Sequence, residues 1–323
     1  VSKGNAMGFD SQREINSPTG AVLRLYERRP AGAPRAVVQI NHGLAEHAAR
    51  YARFADFLAE RDIATFAHDH RGHGHTTAPD APARIFSTAG DGADKVVADI
   101  TAVHDHIAET LPGVPVIVFG HSMGGLVAMN FVLAHSNRIA AAAIWNANFT
   151  AGLLGKAARA VLAWEKFRLG SDVPSRMLPR LTFQAWAKQI PDRRTDFDWL
   201  SRDPEEVDKY VADPLCGWDA SVSMWRDLFD WVFAGADDAN FSAIRRDLPF
   251  SLVGGEKDPA TDGGKAVAAL AARMKAMGFS NLQSTIFAET RHESLNEINR
   301  DRIMSDFASW VDGVLAGHDA PSA

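Results

Sequence analysis

Val116-Ile117-Val118-Phe119-Gly120-His121-Ser122-Met123-Gly124-Gly125-Leu126-Val127-Ala128-Met129 carries the strongest architectural signal in the chain. A Gly-x-Ser-x-Gly pentapeptide stands there between an apolar run over residues 114–119 and a helix-compatible run over residues 126–134. A short apolar run, a glycine-flanked polar residue and a helical run together describe a strand, a sharp turn and a helix. That is the context of a nucleophile elbow, in which Ser122 takes a strained backbone conformation with its Oγ exposed. Gly120 and Gly124 suit it because a β-carbon at either place would meet neighbouring backbone. The helix that follows directs the positive end of its dipole at Ser122 and at an oxyanion formed beside it. Residues 114–137 lack Asp, Glu, Lys and Arg, but His121, Ser122 and the glycines make a membrane span a poor reading of them.

Outward from the elbow, strands and helices alternate. Residues 22–28 alternate apolar and polar as a half-buried strand does, and residues 36–40 and 63–67 are short apolar runs separated by a helical face of Tyr51, Phe54 and Leu58. Val96, Ile100, Val103 and Ile107 recur at helical spacing before the elbow, and residues 139–145 supply a strand after it. The pattern breaks over residues 146–247, which hold six of the eight tryptophans, and resumes with a strand at 248–254. Next come a helix bearing Val267, Leu270, Met274 and Met277 and closed by Gly278, a strand at 282–287, and a helix at 303–315. The expected fold is α/β, a mostly parallel central sheet with helices on both faces. Residues 8–145 and 248–316 form its core, and residues 146–247 a helical cap inserted after the sixth or seventh strand.

Composition narrows the function. The 323 residues carry a formal charge of −6, which leaves no basic excess for phosphate backbones, so nucleic acid is not expected as a partner. Cys216 stands alone, which excludes an intrachain disulfide and makes a cytoplasmic setting the default. Residues 1–10 have no apolar core of the kind a secretory leader needs, residues up to about 7 are left out of the fold reading, and residues 317–323 read as a frayed tail.

A serine nucleophile needs a base and an acid that orients the base, in the chain order Ser, Asp or Glu, His for this architecture. Asp258, in Gly254-Gly255-Glu256-Lys257-Asp258-Pro259, follows one late strand, and His292, in Thr290-Arg291-His292-Glu293, follows the next. Glu256 and Asp262 are the weaker acids, Asp262 being placed as an N-cap for the helix after it. An oxyanion needs two backbone donors, and these are expected from Met123 and from Leu44 in the loop after residues 36–40. His42 and Glu46 are read as shaping that loop. A competing cluster, His68-Asp69-His70-Arg71-Gly72-His73-Gly74-His75, has the composition of a metal site, but a binuclear zinc hydrolase would want Asp at the position of Gly72. A tight loop at a strand end is the plainer reading.

His42-Gly43-Leu44-x-Glu46-His47 with Arg50-Tyr51, Asp69-His70-Arg71-Gly72-His73-Gly74, Gly120-His121-Ser122-Met123-Gly124-Gly125 and Asp213-Pro214-Leu215 occur in this order. In these motifs the chain resembles the α/β-hydrolase superfamily, specifically its monoacylglycerol lipase and lysophospholipase-like serine hydrolases. The resemblance covers about residues 15–315. It implies a triad of Ser122, Asp258 and His292, oxyanion donors at Leu44 and Met123, and a structural role for the histidine-rich loop. The cap matches only at Asp213-Pro214-Leu215, so a glyceride preference does not carry over with it.

The expected activity is hydrolysis of carboxylic esters through an acyl-enzyme, with lipid-like esters such as monoacylglycerols or lysophospholipids as substrates. A small-ester carboxylesterase, a thioesterase or a peptidase of the same fold are the alternatives, and a non-catalytic ligand-binding module is the alternative of another class. Over residues 222–233, Val222, Trp225, Phe229 and Val232 form one stripe, which makes Trp225 and Phe229 candidate substrate contacts; the competing reading is that they pack a small core. Cys216 lies nearby as an alkylation target or a buried bystander. No nucleotide, flavin or metal cofactor is implied. Transient contact with a membrane surface is compatible with a lipid-like substrate.

Overall fold

The apolar runs pair into one eight-stranded sheet. The computed structural model describes residues 8–318, so residues 1–7 and most of the expected frayed tail lie outside the described residues; residues 317 and 318 continue the last helix. The strands are β1 (Ser11–Asn16), β2 (Val22–Arg28), β3 (Ala36–Asn41), β4 (Ile63–His68), β5 (Val116–His121), β6 (Ala141–Trp145), β7 (Phe250–Gly255) and β8 (Leu282–Phe287). Their order across the sheet is β1-β2-β4-β3-β5-β6-β7-β8. β1 and β2 are antiparallel to their neighbours, and the remaining pairs are parallel.

The helices are α1 (Ala52–Ala59), α2 (Gly92–Thr110), α3 (Met123–His135), α4 (Leu153–Leu169), α5 (Leu178–Leu181), α6 (Phe183–Ala187), α7 (Pro204–Ala212), α8 (Val222–Ala236), α9 (Lys265–Ala276) and α10 (Arg300–His318). One face of the sheet buries Phe119 and Trp145 against Phe54 of α1 and Phe307 and Trp310 of α10. The other buries Val118, Ile144 and Leu252 against α2, α3 and α9, and α8 joins that same core through Met224, Trp225 and Trp231. Central strands covered on both faces read as unbroken apolar runs because neither face alternates toward water. The segment between β6 and β7 is all helix and loop apart from an isolated bridge, and it follows the sixth strand.

Three features depart from the sequence reading. β1 has one apolar residue, Ile15, and four of its six residues are exposed, so no periodicity announces it; pairing with β2 and the Arg13–Glu27 ion pair at 2.6 Å hold it. β5 starts at Val116 and runs on to the polar His121, because the parallel neighbours carry the ladder out to Asn41 and Trp145. Asp262 is not the N-cap of the next helix. It takes a left-handed conformation at φ 53°, its carboxylate meets Lys265 Nζ at 3.1 Å, and Gly264 occupies the cap position.

Register brings the carboxyl ends of five parallel strands to one edge. Asn41 lies beside Gly120, His121 beside Trp145, Trp145 beside Val253, and Gly255 beside Phe287. The loops that follow carry Leu44, Ser122, Asn146, Asp258 and His292, so residues up to 248 positions apart in sequence meet because the strands end together.

Candidate active site

Ser122 sits between β5 and α3 with φ 57° and ψ −121°, a region that costs a non-glycine residue of order 1–3 kcal/mol. The turn is over-determined. A β-carbon at Gly120 would lie 2.1 Å from the Gly124 carbonyl oxygen, and one at Gly124 would lie 2.0 Å from that of Asn41. Neither position tolerates a side chain, and the Ser122 N–H is tied to the Trp145 carbonyl at 2.9 Å.

The three candidate residues form one chain of hydrogen bonds. Ser122 Oγ lies 2.8 Å from His292 Nε2, and His292 Nδ1 lies 3.0 Å from each oxygen of Asp258. Asp258 is fully buried and lines neither cavity, whereas Ser122 and His292 both border them. Burial alone would raise the Asp258 carboxyl, but His292 and the donors from Asn146 and Thr261 outweigh it and hold the group below its usual range. Those donors reach Oδ2 at 3.1 and 2.8 Å, and the Ala260 N–H reaches Oδ1 at 2.9 Å, so Asp258 is saturated on its far side.

Leu44 and Met123 both line the cavity at Ser122. Among the described residues neither N–H has an acceptor within the chain. The Gly43 N–H is already taken, donating to Glu46 Oε1 at 2.5 Å. His42 ties the same loop to its neighbours, donating from Nδ1 to the Gly43 carbonyl at 2.8 Å and accepting at Nε2 from the His70 N–H at 2.9 Å.

Several contributors escaped the sequence reading. Asn146 follows β6 at φ 50°, donates to Asp258 and accepts from Ser294 Oγ at 2.9 Å. Its signal was a polar residue directly after an apolar strand at the sheet's carboxyl edge. His121 Nε2 donates to the His292 carbonyl at 2.9 Å. Burial opposes charge on that imidazole, but the Glu46 carboxylate 3.7 Å away prevails and raises its pKa. Glu46 itself resists burial through Arg50 and His121 and lies well below the usual range. The Trp199 ring tilts against His292 with centroids 5.0 Å apart.

Two cavities meet at Ser122, Leu44, Phe183 and His292. The larger, about 180 Å³, is lined chiefly by apolar side chains including Leu126, Trp186, Trp225, Leu228, Phe229 and Val232. Trp225 and Phe229 therefore both pack and line: the former is buried in the core of α8, the latter half-buried at the wall. The smaller, about 40 Å³, is bounded by Glu46, Tyr210, Trp218 and Glu293.

The histidine-rich loop lies elsewhere in the company of His42. The His42 and His70 rings pack 4.4 Å apart, His68 and His70 4.7 Å apart, and His73 stacks on Phe86. Burial lowers His68 and His73 to about 3 and His42 to about 4, so these rings stay neutral. Arg71, fully buried, binds Asp99 at 2.9 Å, and Asp69 accepts from the Ala48 and His75 N–H groups, which closes the loop. Cys216 is half-buried, and burial raises its thiol pKa far above the usual value. Among the described residues it converges with His47 and Asp213, whose own contact is 2.8 Å.

Residues 32–299 match the Hydrolase_4 family model, described as serine aminopeptidase, S33. The chain is 29% identical to the monoglyceride lipase of Mus musculus over 235 residues, 72% of this chain and 69% of that one. It is 27% identical to the monoacylglycerol lipase of Mycolicibacterium smegmatis over 293 residues, 90% of this chain and 94% of that one. A thermostable carboxyl esterase from Bacillus coagulans, solved with glycerol, superimposes with a TM-score of 0.80 at 20% identity, covering 96% of this chain and all of that one, a likeness of fold.

Proposed function

From the chain's membership of the Hydrolase_4 family within the α/β-hydrolases, we propose a serine hydrolase that cleaves lipid-like carboxylic esters, monoacylglycerols foremost, through an acyl-enzyme. The observation that carries this reading is the unbroken Asp258–His292–Ser122 hydrogen-bond chain ending on an apolar cavity. His292 Nε2 takes the Ser122 proton as Oγ attacks the ester carbon. The Leu44 and Met123 N–H groups receive the oxyanion, at the positive end of α3. As the bond to the alcohol breaks, His292 returns the proton to the leaving oxygen. Water then repeats the sequence, releasing the carboxylic acid and restoring Ser122. Asp258 holds the imidazole tautomer and stabilises its charged form.

The larger cavity suits the acyl chain, and the smaller one, with polar edges, suits a compact alcohol. An aminopeptidase role asks for a carboxylate that grips a substrate ammonium. The two carboxylates bordering the smaller cavity, Glu46 and Glu293, are instead both engaged by Arg50, which favours ester over peptide. Hydrolysis of nitrophenyl esters from acetyl to palmitoyl beside matched monoacylglycerols tests the reading. Efficiency should climb about fourfold per methylene until the cavity ends. A profile that peaks at acetyl, or turnover retained by a folded Ser122→Ala protein, would overturn it.

A further inference from the structure

We propose that His47, Asp213 and Cys216 form a binding site for a borderline-soft divalent cation of the zinc class, which ties the loop after β3 to the segment after α7. The three residues offer one imidazole nitrogen, one carboxylate oxygen and one sulfur, and these atoms all lie within 4.8 Å of one another. Nitrogen, oxygen and sulfur together are the donor set of zinc and its neighbours, whereas magnesium and calcium take oxygen alone. The site lies outside the triad and serves no step of the ester reaction.

The frame around the three ligands is already built. The Ala45 carbonyl accepts from the Gly217 N–H and from the Tyr210 hydroxyl, both at 2.9 Å, so two segments far apart in sequence are held in register beside the site. Asp213 Oδ1 accepts from the Leu215 N–H at 2.9 Å, which fixes the carboxylate and leaves Oδ2 to face the ring. The imidazole is less completely held. Its Nε2 meets Asp213 Oδ2 at 2.8 Å, while Nδ1 is buried with no partner among the described residues. An imidazole nitrogen and a carboxylate oxygen sharing one tetrahedral zinc stand about 3.4 Å apart, so the pair must open by roughly half an ångström, which a ring anchored at one nitrogen can do. The Asp213 side chain is 29% exposed, and that gives a cation its way in from solvent. Coordination needs the thiolate, so Cys216 releases its proton to solvent and the cation supplies the charge that balances the sulfur. A bound cation then joins the loop that carries Leu44 to a segment that walls the smaller cavity through Tyr210, Gly217 and Trp218.

The test is equilibrium dialysis of the whole, untagged protein against Zn²⁺, with Co²⁺ as a spectroscopic probe and excess Mg²⁺ as competitor. One Zn²⁺ should be retained per chain in the presence of Mg²⁺, and Zn²⁺ should raise the melting temperature, since it binds the folded state. Cys216 is the only cysteine, so a thiolate-to-cobalt charge-transfer band has one possible source. Cys216→Ser should abolish that band, and Cys216→Ser and His47→Gln should each weaken Zn²⁺ binding about 100-fold. Circular dichroism of each variant without metal checks folding, and Cys216→Ser changes a single atom. Zinc uptake unchanged in a folded Cys216→Ser protein, displacement by Mg²⁺, a cobalt complex without the thiolate band, or no saturable uptake would each overturn the proposal. Binding is read without turnover, so its failure leaves the hydrolase reading standing, and a protein that binds Zn²⁺ here but hydrolyses no ester would refute that reading alone.

Discussion

The carboxyl edge of the sheet and the helical segment that follows β6 are built on opposite terms. At the sheet edge the buried charges beside the site are engaged: Asp258 by four donor groups, and Glu46 and Glu293 by Arg50. On the outer face of the helical segment Lys156, Lys166, Arg168, Arg176, Arg180 and Lys188 have no carboxylate partner among the described residues, and Leu153, Trp164 and Phe167 of α4 meet water. Saturated hydrogen bonds give a reacting group one position, which chemistry needs. Unsaturated charge and apolar surface leave free energy to be gained from something outside the chain. The difference separates a region whose buried charges are satisfied within the chain from one whose charged and apolar groups are not.

That contrast can be broken at the sheet edge first. Ser122→Ala should lower kcat by about 10⁶-fold while leaving the melting curve near that of the parent, and Asp258→Asn should lower kcat by about 10⁴-fold and also lower the melting temperature, because its amide nitrogen would face donors that the carboxylate accepts from. Gly124→Ala is the reverse case. Its β-carbon would lie 2.0 Å from the Asn41 carbonyl oxygen, so it should cost about 4 kcal/mol or more in urea unfolding; a folded, fully active variant would show that the elbow is looser than drawn.

A pH test sharpens the junction between the two regions. Asp227 on α8 is buried against Gly92 at the start of α2, with Oδ2 unpartnered among the described residues. Burial, then the nearby Asp230, pushes its carboxyl from 3.8 up to about 7. A raised pKa means that the folded state favours the protonated acid, so this contribution to stability is full below about pH 4 and is lost as pH rises toward 7. From pH 5 to pH 8 the loss should be about 3 kcal/mol, and Asp227→Asn should abolish it, as read from unfolding free energies at the two pH values. The smallest expected effect is Phe229→Ala. With the cavity wall removed on one side, the gain per acyl methylene should flatten below about fourfold in kcat/KM across an ester series, while acetyl turnover stays unchanged.

How far the site was legible depended on how local its causes are. The elbow was readable because strand, turn and helix are neighbours in sequence and each glycine answers a short-range clash. Asp258 and His292 were readable because each follows a strand in the order such a site requires. Asn146 was not, since it reaches Asp258 from a loop that meets it only when β6 and β7 lie side by side. Thr261 was not either, although it lies only three residues from Asp258, because the 3₁₀ turn that folds its hydroxyl back onto the carboxylate has no periodic pattern. Asp262 was misread as a helix cap because the chain first makes a 3₁₀ turn at Pro259–Thr261, which Asp258 itself caps. β1 had no apolar period to betray it. The outward stripe of α4 was present in the residue spacing, but spacing cannot tell a packed face from an exposed one.

The alternation of strands and helices, the elbow and the candidate nucleophile, base and acid follow from local residue patterns, because periodicity, turn chemistry and motif spacing act over a few residues. The packed fold was needed to show that five strand ends share one edge, that Trp225 and Phe229 wall a cavity, that the clustered histidines pack as neutral rings, and that one face of α4 is exposed. Those outcomes depend on register and on which surfaces bury one another, and both are properties of segments far apart in the chain.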